Sequence, residues 1–349
     1  MPAMALDTTR VTIGDVAARA GVSIATVSRV VNERYGVADA TNARVRAVID
    51  ELGYESSLVA RSLRSQRTNV IGILVAGIEP FSAELLKGAA RALRDTDYEL
   101  VVYSGGMRNQ DGWERRYLSR LSGTLTDGTI LVAPSVVEVR QTQPIVAVDP
   151  HVGGSGLPTV DSQNFDGGMQ ATRHLVGLGH RRIGFLAGRS DLESARLREE
   201  GYRAALAEGG IEFDPALVAV GDFTEEHAAA PARALLTMDD RPSAIFAAND
   251  LSAIQVLRTA DELGLAVPGD VSVVGFDNIP ESALVDPPLT TVDQSIQDLG
   301  QEAVRMLLDL IDHPERRVEP ATTHITLPTK LVVRRSTAAH RDTRDTRDE

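Results

Sequence analysis

The chain has 349 residues, 43% of them hydrophobic, which is enough for a sizeable core and for two or three domains. It contains no cysteine, so disulfides, thiolate metal sites and cysteine nucleophiles are excluded. The net charge of −13 is unevenly distributed: residues 1–67 hold nine Lys and Arg against seven Asp and Glu, and the remainder holds 27 against 42. Only the N-terminal segment could therefore approach a nucleic acid without strong repulsion.

No apolar run in the sequence is long enough to span a bilayer, and the opening MPAMALDTTR lacks the basic flank and apolar stretch of a secretory signal. We therefore expect a cytoplasmic protein without a membrane partner. The absence of cysteine is consistent with a reducing compartment.

Three short helices are predicted between Thr12 and Leu52, because apolar residues recur there at helical spacing. The three groups are Ile13, Val16, Ala17 and Ala20; then Val27, Val30 and Val31; then Val45, Val48, Ile49 and Leu52. Thr12 and Ser23 are plausible N-caps, and Gly53 stands where a C-terminal glycine belongs.

The first two of these helices have the spacing of a helix-turn-helix. Ala17 stands where the helices would cross, Gly21 at the turn and Val27 as the apolar anchor. On a helical wheel Arg29 lies opposite the apolar face formed by Val27, Val30 and Val31. From that position an arginine on a helix in the major groove can donate hydrogen bonds to guanine. Spacing alone is also compatible with a small structural domain in which Arg29 is merely solvated. Ile24 lies at the edge of the apolar face of the helix, so it could pack against the core instead of contacting DNA.

The pattern after residue 67 changes to apolar runs rich in Val and Ile, separated by amphipathic stretches such as 83–94. The predicted strands are 70–77, 99–103, 128–134, 144–149, 182–188, 244–250 and 271–277. This alternation predicts two doubly wound subdomains with mainly parallel sheets. Ligands of such sheets bind beyond the carboxyl ends of strands, where Asp149, Asn249 and Asp277 stand.

The stretch TIGDVAARAGVSIATVSRVVN, followed by RVRAVIDELGY, closely resembles the signature of the lactose-repressor (LacI) and purine-repressor family of bacterial transcription factors. The body resembles the family from about residue 70 to residue 335, including 174–188, 244–278 and 287–294. The resemblance implies an all-α helix-turn-helix domain followed by an α/β periplasmic-binding-protein-like core of two doubly wound subdomains.

The implied domains follow the family order. Residues 1–55 form the DNA-binding domain, 56–68 a hinge helix or linker, 69–335 a two-lobed ligand-binding and dimerisation core, and 336–349 a disordered charged tail. Within the core, the N-lobe comprises about 69–163 and 296–323, and the C-lobe about 164–295 and 324–335.

The resemblance also implies DNA-contacting positions. Ile24 and Ala25 occupy base-reading positions and Arg29 a further one; Thr12, Ser23, Thr26, Ser28 and Asn32 lie near phosphates. In the family the hinge folds on operator DNA and inserts a leucine into the minor groove, which implies Leu63 with Ala60 beside it. Ser56 and Ser57 replace the family's usual Pro-Asn, and an amphipathic linker is the alternative.

Seven positions match the ligand contacts of sugar-binding family members: the polar residues Asp149, Ser194, Arg198, Asn249, Asp277 and Gln294, and Phe223, which matches an aromatic position that packs on the ligand. Phe81, the eighth predicted ligand residue, is expected in the loop at the entrance of the cleft. Paired charged and amide groups suit sugar hydroxyls, and an aromatic ring covers the apolar face of a sugar. Each position has a simpler alternative: Asn249 or Asp277 as a helix cap, Arg198 in a surface ion pair with Glu199 or Glu200, and Phe223 in the core.

The expected protein is a homodimeric repressor of carbohydrate uptake or utilisation genes that a sugar inducer releases from operator DNA. A corepressor-dependent regulator with a non-sugar effector is the alternative, and a sugar-binding α/β enzyme or a pure binding protein are rivals. The sequence contains no GxGxxG, P-loop, GxSxG or HExxH motif. We therefore expect no catalytic residues, no cofactor and no metal.

Overall fold

The structure is a computed structural model that describes residues 11–31, 35–54, 67–105, 113–121, 125–135, 143–151, 156–318 and 323–340. The chain divides into two compact units, residues 1–68 and residues 69–349. In the described ranges no helix is both long and apolar enough to cross a membrane.

The N-terminal unit contains three helices: α1 (Ile13–Ala20), α2 (Ile24–Val31) and α3 (Asp39–Leu52). Thr12 begins α1 in a capping box: its backbone N–H donates to Asp15 Oδ2 at 2.7 Å, and the Asp15 N–H donates to Thr12 Oγ1 at 3.3 Å. Gly21 ends α1 with φ 66°, a left-handed conformation that glycine adopts without strain. The helix-turn-helix predicted from the sequence is therefore confirmed.

Valine side chains hold these three helices together. The buried residues are Val16, Ala17 and Ala20 of α1, Val27 and Val30 of α2, and Val45 and Val48 of α3. A fully buried valine contributes roughly 1.5 kcal/mol by leaving water. A unit this small depends on each of them.

The C-terminal unit contains two six-stranded sheets, in agreement with the predicted pair of doubly wound subdomains. The first sheet comprises β1 (Val70–Val75), β2 (Glu99–Ser104), β3 (Gly128–Val132), β4 (Ile145–Val148), β5 (Thr159–Ser162) and β11 (His324–Leu327). The second comprises β6 (Ile183–Ala187), β7 (Val218–Val220), β8 (Ala244–Ala247), β9 (Ser272–Asp277), β10 (Thr290–Asp293) and β12 (Lys330–Val332). The spatial orders are β2-β1-β3-β4-β5-β11 and β7-β6-β8-β9-β10-β12. Among the described strand pairs only β10 with β12 is antiparallel.

Helices cover both sheets. The first lobe, built on the first sheet, includes α4 (Pro80–Ala92), α5 (Trp113–Leu121) and α10 (Ile296–Asp312). The second lobe includes α6 (Asn164–Gly177), α7 (Glu193–Glu208), α8 (Glu225–Leu236) and α9 (Asp250–Glu262). Short 3₁₀ helices lie at Pro215–Leu217, Pro280–Ala283 and Pro314–Val318.

The chain passes between the lobes three times: after β5, after β10, and between β11 and β12. The third crossing differs from the predicted boundary, which assigns residue 324 onward to the C-lobe. His324–Leu327 instead pairs with β5 in the first sheet, because this alternating polar and apolar strand completes the edge of that sheet. The C-lobe segment therefore begins after Leu327.

The predicted disordered tail also begins too early. Ser336 is buried; its hydroxyl donates to the Val273 carbonyl at 2.5 Å and accepts from the Thr290 N–H at 2.8 Å. The His340 N–H donates to the Leu178 carbonyl at 2.8 Å. Residues 336–340 are therefore bonded to the second lobe, and residues 341–349 lie outside the described residues.

Candidate functional site

One face of α2 is exposed and the other is buried. Val27 and Val30 lie in the core of the three-helix unit, whereas Ala25 and Arg29 are exposed. Ile24 is 56% exposed, because it is the first residue of the helix and lies beyond the reach of the packed valines. The packing role that the sequence leaves open for Ile24 does not hold.

Hydroxyl groups organise the start of α2. The Thr26 N–H donates to Ser23 Oγ at 3.1 Å, and the two hydroxyl oxygens of Ser23 and Thr26 lie 2.9 Å apart. Ser23 therefore caps α2 as predicted. Ser28 is half-buried on the same helix.

Thr12 is bound in the same manner at the start of α1. Its hydroxyl donates to Asp15 Oδ2 at 2.6 Å, and these hydrogen bonds lower the pKa of Asp15. Thr12 must release Asp15 before its hydroxyl can donate to a phosphate. Asn32, Ala60 and Leu63, the remaining predicted DNA contacts, lie outside the described residues.

Backbone strain in the second unit concentrates at the carboxyl ends of its strands. Seven of the eight described non-glycine residues with positive φ lie at the end of a strand or within three residues after it: Ala133, Asp149, Asp222, Phe223, Asp277, Asn278 and Ser295. Such conformations cost of order 1–3 kcal/mol each for most residues and persist where the surroundings impose them, often at binding sites. This edge of the two sheets is therefore the candidate ligand site.

Arg198 lies at the centre of the site and is 3% exposed. Its Nε donates to Asn164 Oδ1 at 2.9 Å, and its Nη1 donates to the Ala248 carbonyl at 2.6 Å. The same Nη1 lies 3.6 Å from Asp277 Oδ1. The alternative of a surface ion pair is therefore wrong; Glu199 pairs instead with Arg203.

Gln294 joins Asp277 to the first lobe. Its Nε2 donates to Asp277 Oδ1 at 2.5 Å, and its Oε1 accepts from Ser162 Oγ at 2.8 Å. Arg198 Nη2 lies 3.5 Å from the same Oε1. Because Ser162 ends β5 and Gln294 follows β10, this chain of bonds links strand ends of both sheets.

Burial raises the pKa of several carboxyl groups here. The pKa of Asp277 rises to about 7 because burial outweighs the opposing effects of Arg198 and Gln294. Burial likewise raises the pKa of Asp149, against Arg198 and hydrogen bonds from Ser194 and Asn164. Asp250 is fully buried, and burial together with the nearby Asp277 raises its pKa well above the usual range.

Two aromatic rings flank Arg198. The guanidinium carbon lies 3.8 Å from the centroid of the Phe276 ring and 5.7 Å from that of Phe223. Phe223 is partly buried and packs against the core of the second lobe, so the alternative of a core residue is correct in part. Its ring crosses Gly188, where an added Cβ would lie 2.1 Å from Phe223 Cζ.

We expect Gly188→Ala to displace the Phe223 ring, because the new methyl group overlaps three of its carbons. Overpacking of this kind costs about 1–3 kcal/mol, measured as a lower unfolding free energy. Gly177→Ala is the matched control, since no atom lies within 4 Å of its added Cβ. Equal stability of the two variants would contradict this prediction.

The structure brings together five of the eight predicted ligand positions: Asp149, Ser194, Arg198, Asp277 and Gln294. Asn249 lies beside Phe223, to whose carbonyl its Nδ2 donates at 3.0 Å, and it also caps α9 by accepting from the Ser252 N–H at 3.0 Å. Phe81, on α4, packs against buried hydrophobic residues and makes no described contact with the Arg198 network.

Sequence reasoning missed four residues of the site: Asn164, Asp250, Phe276 and Gly188. Asn164 follows a strand that the sequence did not predict, and Phe276 reads as an ordinary core residue. Asp250 comes directly after Asn249 at a predicted strand end, which was an available signal. Within the described ranges, no three His, Asp or Glu side chains are grouped to hold a metal ion.

A helix-turn-helix unit followed by two doubly wound lobes defines a DNA-binding regulator with a small-molecule-binding core. Residues 12–57 match the model for bacterial regulatory proteins of the lacI family, and residues 172–337 match the periplasmic binding protein-like domain. The chain belongs to the LacI family and is a DNA-binding transcriptional repressor.

Full-length relatives support this membership. The chain is 35% identical over 337 residues to the HTH-type transcriptional repressor PurR of Photobacterium profundum, covering 93% of this chain and 98% of the relative. It resembles the lac repressor dimer bound to operator and the anti-inducer ONPF at 30% identity and a TM-score of 0.82, covering 95% and 100%. It also resembles the regulator CelR in complex with cellobiose, at 34% identity and a TM-score of 0.69, covering 94% and 100%. These relatives are transcription regulators rather than enzymes.

Proposed function

We propose that this repressor controls carbohydrate uptake or utilisation genes and that a sugar inducer, bound at the carboxyl edge of the two sheets, releases it from operator DNA. The carrying observation is the buried network of Arg198, Asp277, Gln294 and Asp149 beside the Phe223 ring. Sugar hydroxyls donate and accept hydrogen bonds together, and this network offers both kinds of partner. The resemblance to CelR, which was solved with cellobiose, supports the same chemistry.

Release follows from coupling between the sugar and the DNA. Because Ser162 and Gln294 tie the two lobes together at the site, a ligand there changes how the lobes meet. A sugar that prefers the lobe arrangement with low DNA affinity must lower operator affinity, and operator DNA must lower sugar affinity by the same factor. The alternative is a corepressor-dependent regulator with a non-sugar effector, which the identity to repressors named PurR favours.

DNA recognition is proposed for the exposed face of α2. Ile24 and Ala25 would contact thymine methyl groups and other base edges, and Arg29 a guanine. Thr12, Ser23, Thr26, Ser28 and Asn32 would lie near phosphates, and Ala60 and Leu63 would enter the minor groove. Two copies in a homodimer would straddle a pseudo-palindromic operator.

The test is a fluorescence anisotropy titration of the full chain on DNA from upstream of its own gene, repeated with a panel of mono- and oligosaccharides. An inducer lowers operator affinity, whereas a corepressor raises it. If no sugar changes the affinity, or if a sugar is turned over, the proposed function is wrong. Light scattering of the DNA complex tests the dimer.

We expect Ile24→Tyr to change operator preference and to leave the unfolding free energy within about 0.5 kcal/mol of wild type, because the side chain is exposed. Val27→Ala is the contrasting control: it empties a fully buried position on the same helix and costs about 2 kcal/mol. Selection from a randomised operator library, with thermal denaturation beside it, checks both. A destabilised Ile24→Tyr with unchanged preference would contradict base reading.

A further inference from the structure

The candidate site has more buried carboxyl groups than buried cations. Asp149, Asp250 and Asp277 all act electrostatically on Arg198, which is the buried cation among them. Arg334 also acts on Asp250, but its guanidinium donates to the Asn278 side chain at 2.6 Å and to the Leu289 carbonyl at 2.7 Å. One buried guanidinium therefore serves three carboxyl groups.

The donors of Arg198 already have partners within the protein. Nε is bonded to Asn164, Nη1 to the Ala248 carbonyl beside Asp277, and Nη2 lies against Gln294. An arginine usually binds phosphate with two parallel N–H donors of its guanidinium group. Arg198 can present such a fork only by breaking these bonds and leaving buried groups unpaired.

Three helices of the second lobe have an acidic side chain in the first turn, which opposes anion binding at their N-termini. A helix N-terminus carries a partial positive charge and commonly binds phosphate. However, α6, α7 and α9 each carry a carboxylate in the first turn: Asp166, Glu193 and Asp250. Asp250 Oδ2 accepts the backbone N–H of Ile279 at 3.0 Å, and Oδ1 accepts from Thr291 at 2.5 Å.

Cations near the strand ends are paired as well. Arg189, in the loop after β6, donates to both oxygens of Asp191, at 3.1 Å from Nε and 2.7 Å from Nη2, and lies 3.7 Å from Asp222. His151, after β4, lies 3.2 Å from the same Asp191. Burial is the main reason why the pKa of His151 is lowered, so this ring is mainly neutral near pH 7.

We propose, on the basis of the sugar function above, that the effector is an uncharged saccharide and that the site rejects the phosphorylated form of the same sugar. A phosphate dianion here would lie near three buried carboxyl groups, while Arg198, Arg334 and Arg189 are already bonded to groups of the protein. Sugar hydroxyls instead carry no charge and can exchange hydrogen bonds with those carboxyl groups. We expect at least about a hundredfold weaker binding of the phosphorylated sugar, the scale of like-charge opposition in a buried site.

The experiment titrates the full-length repressor on fluorescent operator DNA with sugars in matched pairs, such as glucose with glucose 6-phosphate and cellobiose with its 6′-phosphate. Inorganic phosphate serves as the anion control. Release by the parent sugar and not by its phosphate supports the inference. Equal release by both, or release by the phosphate alone, overturns the inference and leaves the sugar-effector function standing. If neither member of any pair acts, the sugar-effector function itself fails.

Charge variants test the cause of the discrimination. Asp149→Asn replaces an ionisable carboxyl group by a neutral amide of nearly the same shape. The preference for the parent sugar over its phosphate, measured as the ratio of their affinities, should therefore fall at least about tenfold. Glu200→Gln on α7, whose carboxylate pairs with the exposed Arg196, should leave the ratio unchanged. Asp277→Asn is the second variant if Asp149→Asn no longer binds the parent sugar. A ratio that neither aspartate variant changes overturns the electrostatic explanation.

Discussion

Arg198→Ala is expected to lower the unfolding free energy by about 3–5 kcal/mol and to abolish the response to effector, while operator binding persists in the folded fraction. The large cost arises because Asp277 and Asp149 remain buried after their cation is removed. The Ala248 carbonyl and the Asn164 side chain lose a donor at the same time. DNA binding should survive, because residues 1–68 form a compact unit of their own.

Arg196→Ala is the matched control for this expectation. Arg196 lies on α7 two residues before Arg198, yet its side chain is half exposed and pairs with Glu193 and Glu200 at the surface. Surface pairs of this kind contribute about 0–1 kcal/mol. Denaturant unfolding, and operator release by whichever effector the titration identifies, should therefore separate the two variants clearly.

Arg198→Lys keeps the charge and distinguishes a folding defect from a binding defect. Lysine cannot reproduce the planar fork that reaches both Asn164 and the Ala248 carbonyl. We expect an intermediate stability and a weakened effector response. A fully responsive Arg198→Ala would contradict a central role for this residue.

Strong local signals explain which elements the sequence could predict. Most of the longer strands contain a continuous apolar run, such as VIGILV in β1, because both of their faces are covered; the edge strand β2 was predicted from its central LVVY although it is partly exposed. Strands β5, β7, β10, β11 and β12 were not predicted. Each has only three or four residues, and all but β7 contain Thr, Asp, His or Lys. Hydrophobic periodicity cannot be recognised over such short stretches.

The same limit applies to the site. Asp149, Asn249 and Asp277 could be predicted from the residues alone, because each follows a strongly apolar strand. The ligand-binding roles of Ser194, Arg198 and Gln294 could be predicted only from the family resemblance. Arg198 lies in the charged stretch ESARLREE, and nothing in that local sequence indicates that its side chain is buried. Gly168 explains part of it: an added Cβ there would lie 2.4 Å from the Arg198 carbonyl, so the close approach of α6 places α7 against the site.

Asp277→Asn is expected to flatten the dependence of stability on pH. Burial raises the folded-state pKa of Asp277 from 3.8 to about 7, so the folded chain holds a proton that the unfolded chain has already released. The contribution of this group to stability is complete below the unfolded pKa and is lost as pH rises through about 7. The wild type should therefore lose stability between about pH 4 and pH 7 relative to the variant, which has no carboxyl proton to release there.

Effector binding should show the opposite slope. If the effector is a sugar, as proposed, a hydroxyl that donates to ionised Asp277 favours that form, so the effector affinity of the wild type should rise with pH through about 7, and that of Asp277→Asn should change less. Asp149 and Asp250 also have raised pKa values, and those of His151, His174 and His180 are lowered, so the informative quantity is the difference between wild type and variant at each pH. Denaturant unfolding without sugar, and calorimetric titration with it, measure the two slopes. Parallel curves for the two proteins in both measurements would mean that Asp277 does not titrate in this range.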